Sequence, residues 1–385
     1  MKQNQSVNPQ KNIFLFMFPN DFNYSSYNTK YFFMKSNTLF LFIILFGISF
    51  FPFSYSQDND DPYKLQGEKR LKNIKMLTEA GENAEAYLSF DEKKLIFQTT
   101  FGSLQCDQIF TMNIDGSEQK MVSTGFGRTT CSYFLPGDSA IIYASTHLAD
   151  KNCPSPPDRS KGYVWKLYET FDIFMAKPDG SNLRQITNAY GYDAEATVSP
   201  KGDKIVFTST RDGDPEIYLM DIDGSNQIRL TFEKGYDGGP FFSLDGSKIV
   251  FRASRPKTEE ELKDYNDLVE NGLVRPTALE IYTMNSDGSN IKQVTNFGRA
   301  SFAPFFHPDG KRIIFASNIN SKTGRDFDLY IINIDGTGLE QITFNETFDG
   351  FPMFTRDGKK LIFASNRFNK KEGDTNIFTA DWVEQ

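Results

Sequence analysis

The chain reads as an all-β protein: a single six-bladed β-propeller of four-stranded antiparallel blades, with one short helix inserted in blade four. Three observations predict it. A unit of about 44 residues recurs, with copies starting near Ala84, Gly127, Tyr192, Tyr236, Arg299 and Phe348, and that period is the propeller-blade range. Within each unit, short apolar runs alternate with turn signals. The segment Asn73–Thr78 also matches the last strand of a unit, Asn182–Thr187, yet precedes the first copy. An N-terminal strand that completes the last blade closes the row into a ring and pairs two open edges.

The copy Tyr192–Thr231, YDAEATVSPKGDKIVFTSTRDGDPEIYLMDIDGSNQIRLT, shows why each element forms. Strand A is Ala194–Val198, ended by the turn Ser199-Pro200-Lys201-Gly202. Strand B is Lys204–Ser209, and its Ile205-Val206-Phe207 run is apolar on both faces, as in a strand sandwiched between neighbouring sheets. Strand C is Glu216–Asp221 and strand D Gln227–Thr231, joined by Asp223-Gly224. Asp-Gly between strand-like runs is a strong hairpin signal. Asp-Gly-Ser/Thr recurs at Asp115, Asp179, Asp223, Asp287 and Asp335, at spacings of 64, 44, 64 and 48. The D-x-D-G pattern at Asp221–Gly224 therefore reads as a hairpin and not as a calcium loop, whose distal Glu it lacks.

The first 63 residues read differently. Residues 1–33 carry no period and read as an over-long gene start or an unstructured stretch. Residues 34–56 have the order of a secretory signal: Met34-Lys35, the apolar run Leu39–Phe53, then small residues to Ser56. The run is short of the ~20 apolar residues of a membrane span, so the mature form is expected to have none. Residues 57–63 are a linker and 64–385 the propeller. The formal charge is −8, and it becomes about −11 without residues 1–56. An acidic chain lacking Lys/Arg blocks is not a nucleic-acid binder. Only 2 His and 3 Cys are present, with no C-x-x-C spacing, which argues against a zinc site.

The signature SPKG…KIVFTS…EIYLMDIDGSN…LT, repeated along the chain, resembles the TolB-type propeller repeats of envelope proteins. The resemblance implies the propeller fold and says little of function, whereas the signal-like order of residues 34–56, with no Cys before Cys106, is what predicts a periplasmic or secreted location. Here only Gln57–Arg70 or so separates the leader from the first strand, which leaves no room for the α/β domain that precedes the propeller in TolB itself. Propellers also serve many unrelated functions, so the role must be argued from a site.

Loop lengths point to one rim. From the end of strand B to the start of strand C, copy three needs 10 positions, and copies two and four need 30 each. All B–C loops open on one rim, together with the D–A connections, and binding tends to live on such loops. In the copy-four insertion, Thr258 and Glu261 form a capping box, predicting a helix over 258–271 with Leu262, Tyr265, Leu268 and Val269 on its apolar stripe. The copy-two insertion brings Tyr163, Trp165 and Tyr168, so these and Tyr265 are the partner-contact candidates. One disulfide is expected among Cys106, Cys131 and Cys153, with three pairings open.

Strand A lines the channel of a propeller. Six positions before the A–B turn stand Asn83, Thr129, Asp193, Asp237, Ser301 and Asp349. Four before it stand Glu85, Cys131, Glu195, Gly239, Ala303 and Phe351. Glu85, Asp193, Glu195, Asp237 and Asp349 are thus expected at the channel mouth, as a ligand site or a Ca²⁺ site. Arg211, Arg255 and Arg367, just after strand B, read as solvated or inter-blade residues. His307, in an A–B turn, and His147, at the base of a rim loop, read as structural, and no G-x-S-x-G elbow occurs. The leading reading is a monomeric, non-enzymatic binding or scaffold propeller that engages an envelope protein or a glycan. The alternative is a metal-dependent enzyme or sugar-binding protein that uses the acidic channel residues.

Overall fold

A computed structural model describes residues 61–384. The leader reading of residues 1–33 and 34–56, and the first part of the linker, lie outside the described residues. Six four-stranded antiparallel sheets follow one another round a ring. Blade 3 shows the register: Asp193–Val198 pairs with Lys204–Ser209, which pairs with Glu216–Asp221, which pairs with Ile228–Arg229. Strand A starts one residue earlier than the sequence suggests and strand D is shorter at both ends. In the sixth sheet the outer strand is Leu71–Met76, lying against Asn376–Trp382 with Leu71 opposite Trp382.

The core is built between blades. Ile205, Val206 and Phe207 are fully buried, as their two-faced apolar run requires. The aromatic that ends this run in each blade sits opposite an aromatic of strand C. The pairs are Phe97–Phe110, Tyr143–Phe174, Phe207–Tyr218, Phe251–Tyr282, Phe315–Tyr330 and Phe363–Phe378, with centroids 5.6–6.3 Å apart. Such cross-strand rings are each worth ~0.5–1.5 kcal/mol beyond the area they bury.

The Asp-Gly-Ser hairpins are turns. Asp223 Oδ1 accepts from the Ser225 N–H at 2.9 Å and from its hydroxyl at 2.6 Å, and Gly224 has φ +92°. A Cβ on Gly224 would lie 2.6 Å from the Ile186 carbonyl of the preceding blade, so the hairpin also needs glycine for the close approach. The threonine that ends each strand-D motif works the same way in blade after blade. Thr187, Thr231, Thr295 and Thr343 accept the first apolar N–H of strand C at 2.8–2.9 Å.

The helix is Glu259–Val269, with the Glu261 N–H on Thr258 Oγ1 at 3.1 Å and Glu261 reaching back to the Thr258 N–H at 3.0 Å. It buries Tyr265 and Leu268, whereas Leu262 stays exposed. Val164, Leu268 and Leu273 cluster together, and Trp165–Lys166 pairs with Leu273–Val274. The insertions of blades 2 and 4 thus clasp each other across blade 3. A Cys106–Cys153 disulfide ties the blade-1 loop to the blade-2 insertion, and Cys131 is a free thiol. Among the described residues no helix is long and apolar enough to cross a membrane.

Candidate functional site

The six A strands bulge at the same place. Each A–B pairing slips its register there, and Glu85, Cys131, Glu195, Gly239, Ala303 and Phe351 all take φ between +49° and +59°. A left-handed residue in a bulge bends the strand and re-aims its side chain. All six of these residues line one central cavity of about 1140 Å³.

Two positions further on, the channel is plugged. Tyr87 of blade 1 meets Phe241 of the opposite blade 4 with centroids 5.2 Å apart, and Tyr133 and Phe305 pack on the same ring at 6.1 and 5.6 Å. The cavity is therefore a cup, closed towards the tight-turn face and reached from the B–C rim. Trp165, Lys166 and Leu167 of the clasped insertions form part of its edge.

The cup has two unlike walls near its floor: blades 1–3 contribute Glu85, Gln98, Thr130, Cys131 and Glu195 there, and blades 5 and 6 contribute Phe302, Phe348 and Phe351. Phe171 and Tyr192 add aromatic surface on the first side, and the loops of blades 5 and 6 add a polar edge that includes Arg325, Asp326, Asn366, Glu372 and Asp374. Glu195 accepts from the Thr208 hydroxyl and the Gly239 N–H, both at 2.7 Å, and from the Tyr236 hydroxyl at 3.0 Å. Arg252 completes the set with an ion pair to Glu195. The guanidinium lies 5.3 Å from the Trp165 and Tyr236 ring centroids. A Cβ on Gly239 would stand 2.0 Å from Arg252 Nη1, so only glycine in blade 4 admits this arginine. Burial, with Glu195 nearby as the second cause, pushes Glu85 up to about 7, while Cys131 and Arg252 pull it down less. Burial also carries the Cys131 thiol well above its usual range, which makes it a poor nucleophile.

The five carboxylates expected together are not together. Glu85 and Glu195 face the cup, but Asp193, Asp237 and Asp349 are fully buried one step outside it. Each is paired with the arginine 18 positions later in its own blade: Arg211 at 2.7 Å, Arg255 at 2.7 Å and Arg367 at 2.8 Å. The arginines are thus drawn mainly into their own blades, with little side-chain surface left to solvent, because a buried carboxylate without a paired cation is costly. Arg367 also holds Glu68 at 2.9 Å, which fastens the N-terminal segment to blade 6. Blades 1, 2 and 5 carry Asn83, Thr129 and Ser301 at the aspartate position and Phe101, His147 and Ile319 at the arginine position. That covariation among repeats was readable in the sequence. With three carboxylates neutralised and the fourth held by Arg252, the set does not suit Ca²⁺, and no group of three metal-ligating side chains converges among the described residues.

The aromatic candidates also divide. Tyr168 and Tyr265 are buried and turned inward, donating to the Ser155 carbonyl at 2.8 Å and to Asp214 at 2.6 Å. Trp165 edges the cup and donates to the Tyr163 hydroxyl at 3.2 Å. The exposed aromatics of the rim are others: Phe101, Phe126, Tyr190, Phe232, Phe344 and Phe368, with Tyr190 80% and Phe232 71% exposed. All six lie in B–C loops or D–A connections, on the side where the cup opens. His307 packs 4.6 Å from Phe354 and bonds within its own turn, and His147 bonds Ser145, so both are structural.

The profile of the TolB beta propeller domain matches residues 155–270 and 274–383. The chain belongs to that family. It is 38% identical over 50 residues to a TolB homolog of Chlorobium luteolum, covering 13% of this chain and 12% of the relative. It is 51% identical over 39 residues to the Tol-Pal system protein TolB of Bordetella pertussis, 10% of this chain and 9% of that one. The matched stretch is thus about a tenth of the length of these curated relatives. The crystal structure of TolB from Acinetobacter baumannii has a TM-score of 0.52 at 17% identity, covering 79% of this chain and 64% of that one, a likeness of fold alone. Within this TolB propeller, Arg252 is the site residue that the repeat reading passed over. Its equivalents, Gln98, Ala144, Thr208, Ala316 and Ala364, are all uncharged, so the departure itself was the signal.

Proposed function

We propose that this TolB-family propeller is an extracytoplasmic, non-enzymatic binding module that engages a protein or glycan partner through its loop-rich rim and cup mouth. The observation that carries the reading is a deep cup, closed at one end, that opens on the same rim whose B–C loops and D–A connections carry the exposed aromatics of the described residues. Exposed aromatics gathered on one face mark contact surfaces, whereas scattered ones do not. The apolar run before Ser56 and the envelope-system name carried by the Bordetella relative support the location. The test is affinity capture from envelope extract with the full chain and with the Tyr190→Ser/Phe232→Ser double variant. A partner retained by the first and lost by the second, at equal thermal stability, is the expected result. Equal capture by both sinks the rim as the contact surface.

A further inference from the structure

The two-walled cup restricts what can fill it. One wall is aromatic: Trp165 stands edge-on to Phe302 at 6.4 Å, and Phe302 lies 5.8 Å from Phe351. The facing wall is polar, with Glu85, Gln98 and Glu195. A wholly apolar ligand would cover that polar wall without satisfying it. The charges of the lining are mixed: Glu85 and Glu195 stand with Arg252, itself seated between Glu195 and Tyr236, and Arg128, Lys166 and Arg325 are offset by Glu82, Asp326, Glu372 and Asp374, so neither sign of ligand charge is favoured. The Glu195–Arg252 pair is internally neutral, and Glu85 is biased towards its uncharged form by its surroundings. What remains is a ligand that is neutral overall, flat and apolar on one face, and rich in hydroxyls round its edge.

We propose that the cup binds a neutral oligosaccharide, with a sugar ring laid on the Trp165–Phe302–Phe351 wall and its hydroxyls turned to Glu85 and Gln98, while Glu195 stays occupied by its protein donors. Sugar rings present axial C–H groups on one face, which suit an aromatic surface, and their equatorial hydroxyls both donate and accept. A volume of about 1140 Å³ has room for a short oligomer, since pockets of about 300–1,000 Å³ take ligands of drug size. No bond is made or broken. Gly239, Ala303 and Cys131 keep the bulge ring narrow in side-chain bulk where a ring must pass, while Phe351 supplies a platform. The inference rests on the binding reading above and names the occupant of the same site.

Binding should depend on pH in a definite direction. The groups facing Glu85 are Glu195, Cys131, Arg252, Tyr87 and, further off, Asp107. A neutral ligand that covers the carboxyl removes its remaining water, and in the proposed pose the protonated carboxyl donates to a sugar hydroxyl, so both terms favour the protonated form. Affinity should therefore be higher at pH 6 than at pH 8.

The experiment titrates the full chain with maltotriose, cellotriose and chitotriose, by calorimetry and by tryptophan fluorescence, at both pH values. Trilysine and trigalacturonate serve as cationic and anionic probes. Millimolar or tighter binding of at least one neutral trisaccharide is expected, with a fluorescence change absent in Trp165→Phe. Phe351→Ala should weaken binding about tenfold, which is about 1.4 kcal/mol, and Glu85→Gln should flatten the pH dependence. The wild-type fluorescence change keeps the test independent of whether Phe351→Ala folds. No heat and no fluorescence change with all three neutral sugars overturns the proposal, as does tighter binding of either charged probe. If the sugars fail while rim-dependent envelope capture persists, only this inference falls. If both fail, the binding reading falls with it.

Discussion

Asp193 and Glu195 stand two residues apart in one strand, carry the same chemical group, and do different work. Asp193 is sealed inside blade 3, with Ser209 donating at 2.6 Å and Arg211 at 2.7 Å. Glu195 is turned by the bulge into the cup, where it keeps Thr208 of its own blade and gains Tyr236, Gly239 and Arg252 of the next. The first carboxylate neutralises charge within a sheet. The second joins two sheets and shapes a wall. Neither role follows from the residue type. Both follow from which side of a one-residue slip the side chain falls on.

The sharpest way to break this contrast is at the inner layer. Arg367→Met leaves Asp349 and Glu68 buried without a cation, and removing one partner of a buried pair typically costs about 3–5 kcal/mol. A large drop in the urea midpoint is expected, and an unchanged midpoint would remove the structural assignment of this layer. Asp193→Asn should cost less, about 1–2 kcal/mol, since Ser209 can still bond the amide and Arg211 is partly solvated. Oligosaccharide binding or partner capture should survive Asp193→Asn. Loss of binding at intact stability would return that layer to the site.

The outer layer should respond with the opposite sign. Burial beside Glu195 raises Glu85 from its usual 4.5 to about 7. The folded state then holds a proton that the unfolded chain has lost, so this group makes stability fall as pH rises from about 4.5 to 7. Glu85→Gln removes that loss. The full shift corresponds to about 3 kcal/mol; discounted for the carboxyl's remaining contact with solvent, an effect of about 1–2 kcal/mol should raise the melting temperature at pH 8 and change it little at pH 4. A variant that melts lower than wild type at pH 8 would mean that the carboxylate is stabilised and not strained. The smallest effect is expected from Tyr190→Ser, within about 0.5 kcal/mol of wild type in a urea melt, because its side chain is mostly in water.

Much of the fold was legible because each blade repeats the same local chemistry. Lys204–Ser209 and Glu216–Asp221 were readable to the residue from apolar runs and turn residues, and the Thr258/Glu261 box placed the helix start. The site was only half legible. Alignment on the A–B turn isolated the six bulge positions as a set, yet nothing local in Glu85 or Phe351 announces a left-handed backbone. The Asp–Arg pairs are hidden from a strand-by-strand pattern because the two residues stand on different elements, one at the start of strand A and one after strand B. Their constant spacing of 18 and joint absence from blades 1, 2 and 5 were visible all along. Loop position places Tyr168 and Tyr265 on the rim but does not fix which way a side chain turns, and both turn inward.

By itself, the sequence determined the blade period, the strands, the hairpins and the rim that bears the insertions. These depend on contacts within some 44 residues and are restated in copy after copy. Only the tertiary structure decided which carboxylates meet the cup, how the two insertions clasp and where the channel is plugged. Glu195 finds Arg252 at a separation of 57 residues, and Tyr87 finds Phe241 across the ring. Such meetings are set by ring closure and by the bulge that aims each side chain, and no local pattern encodes either.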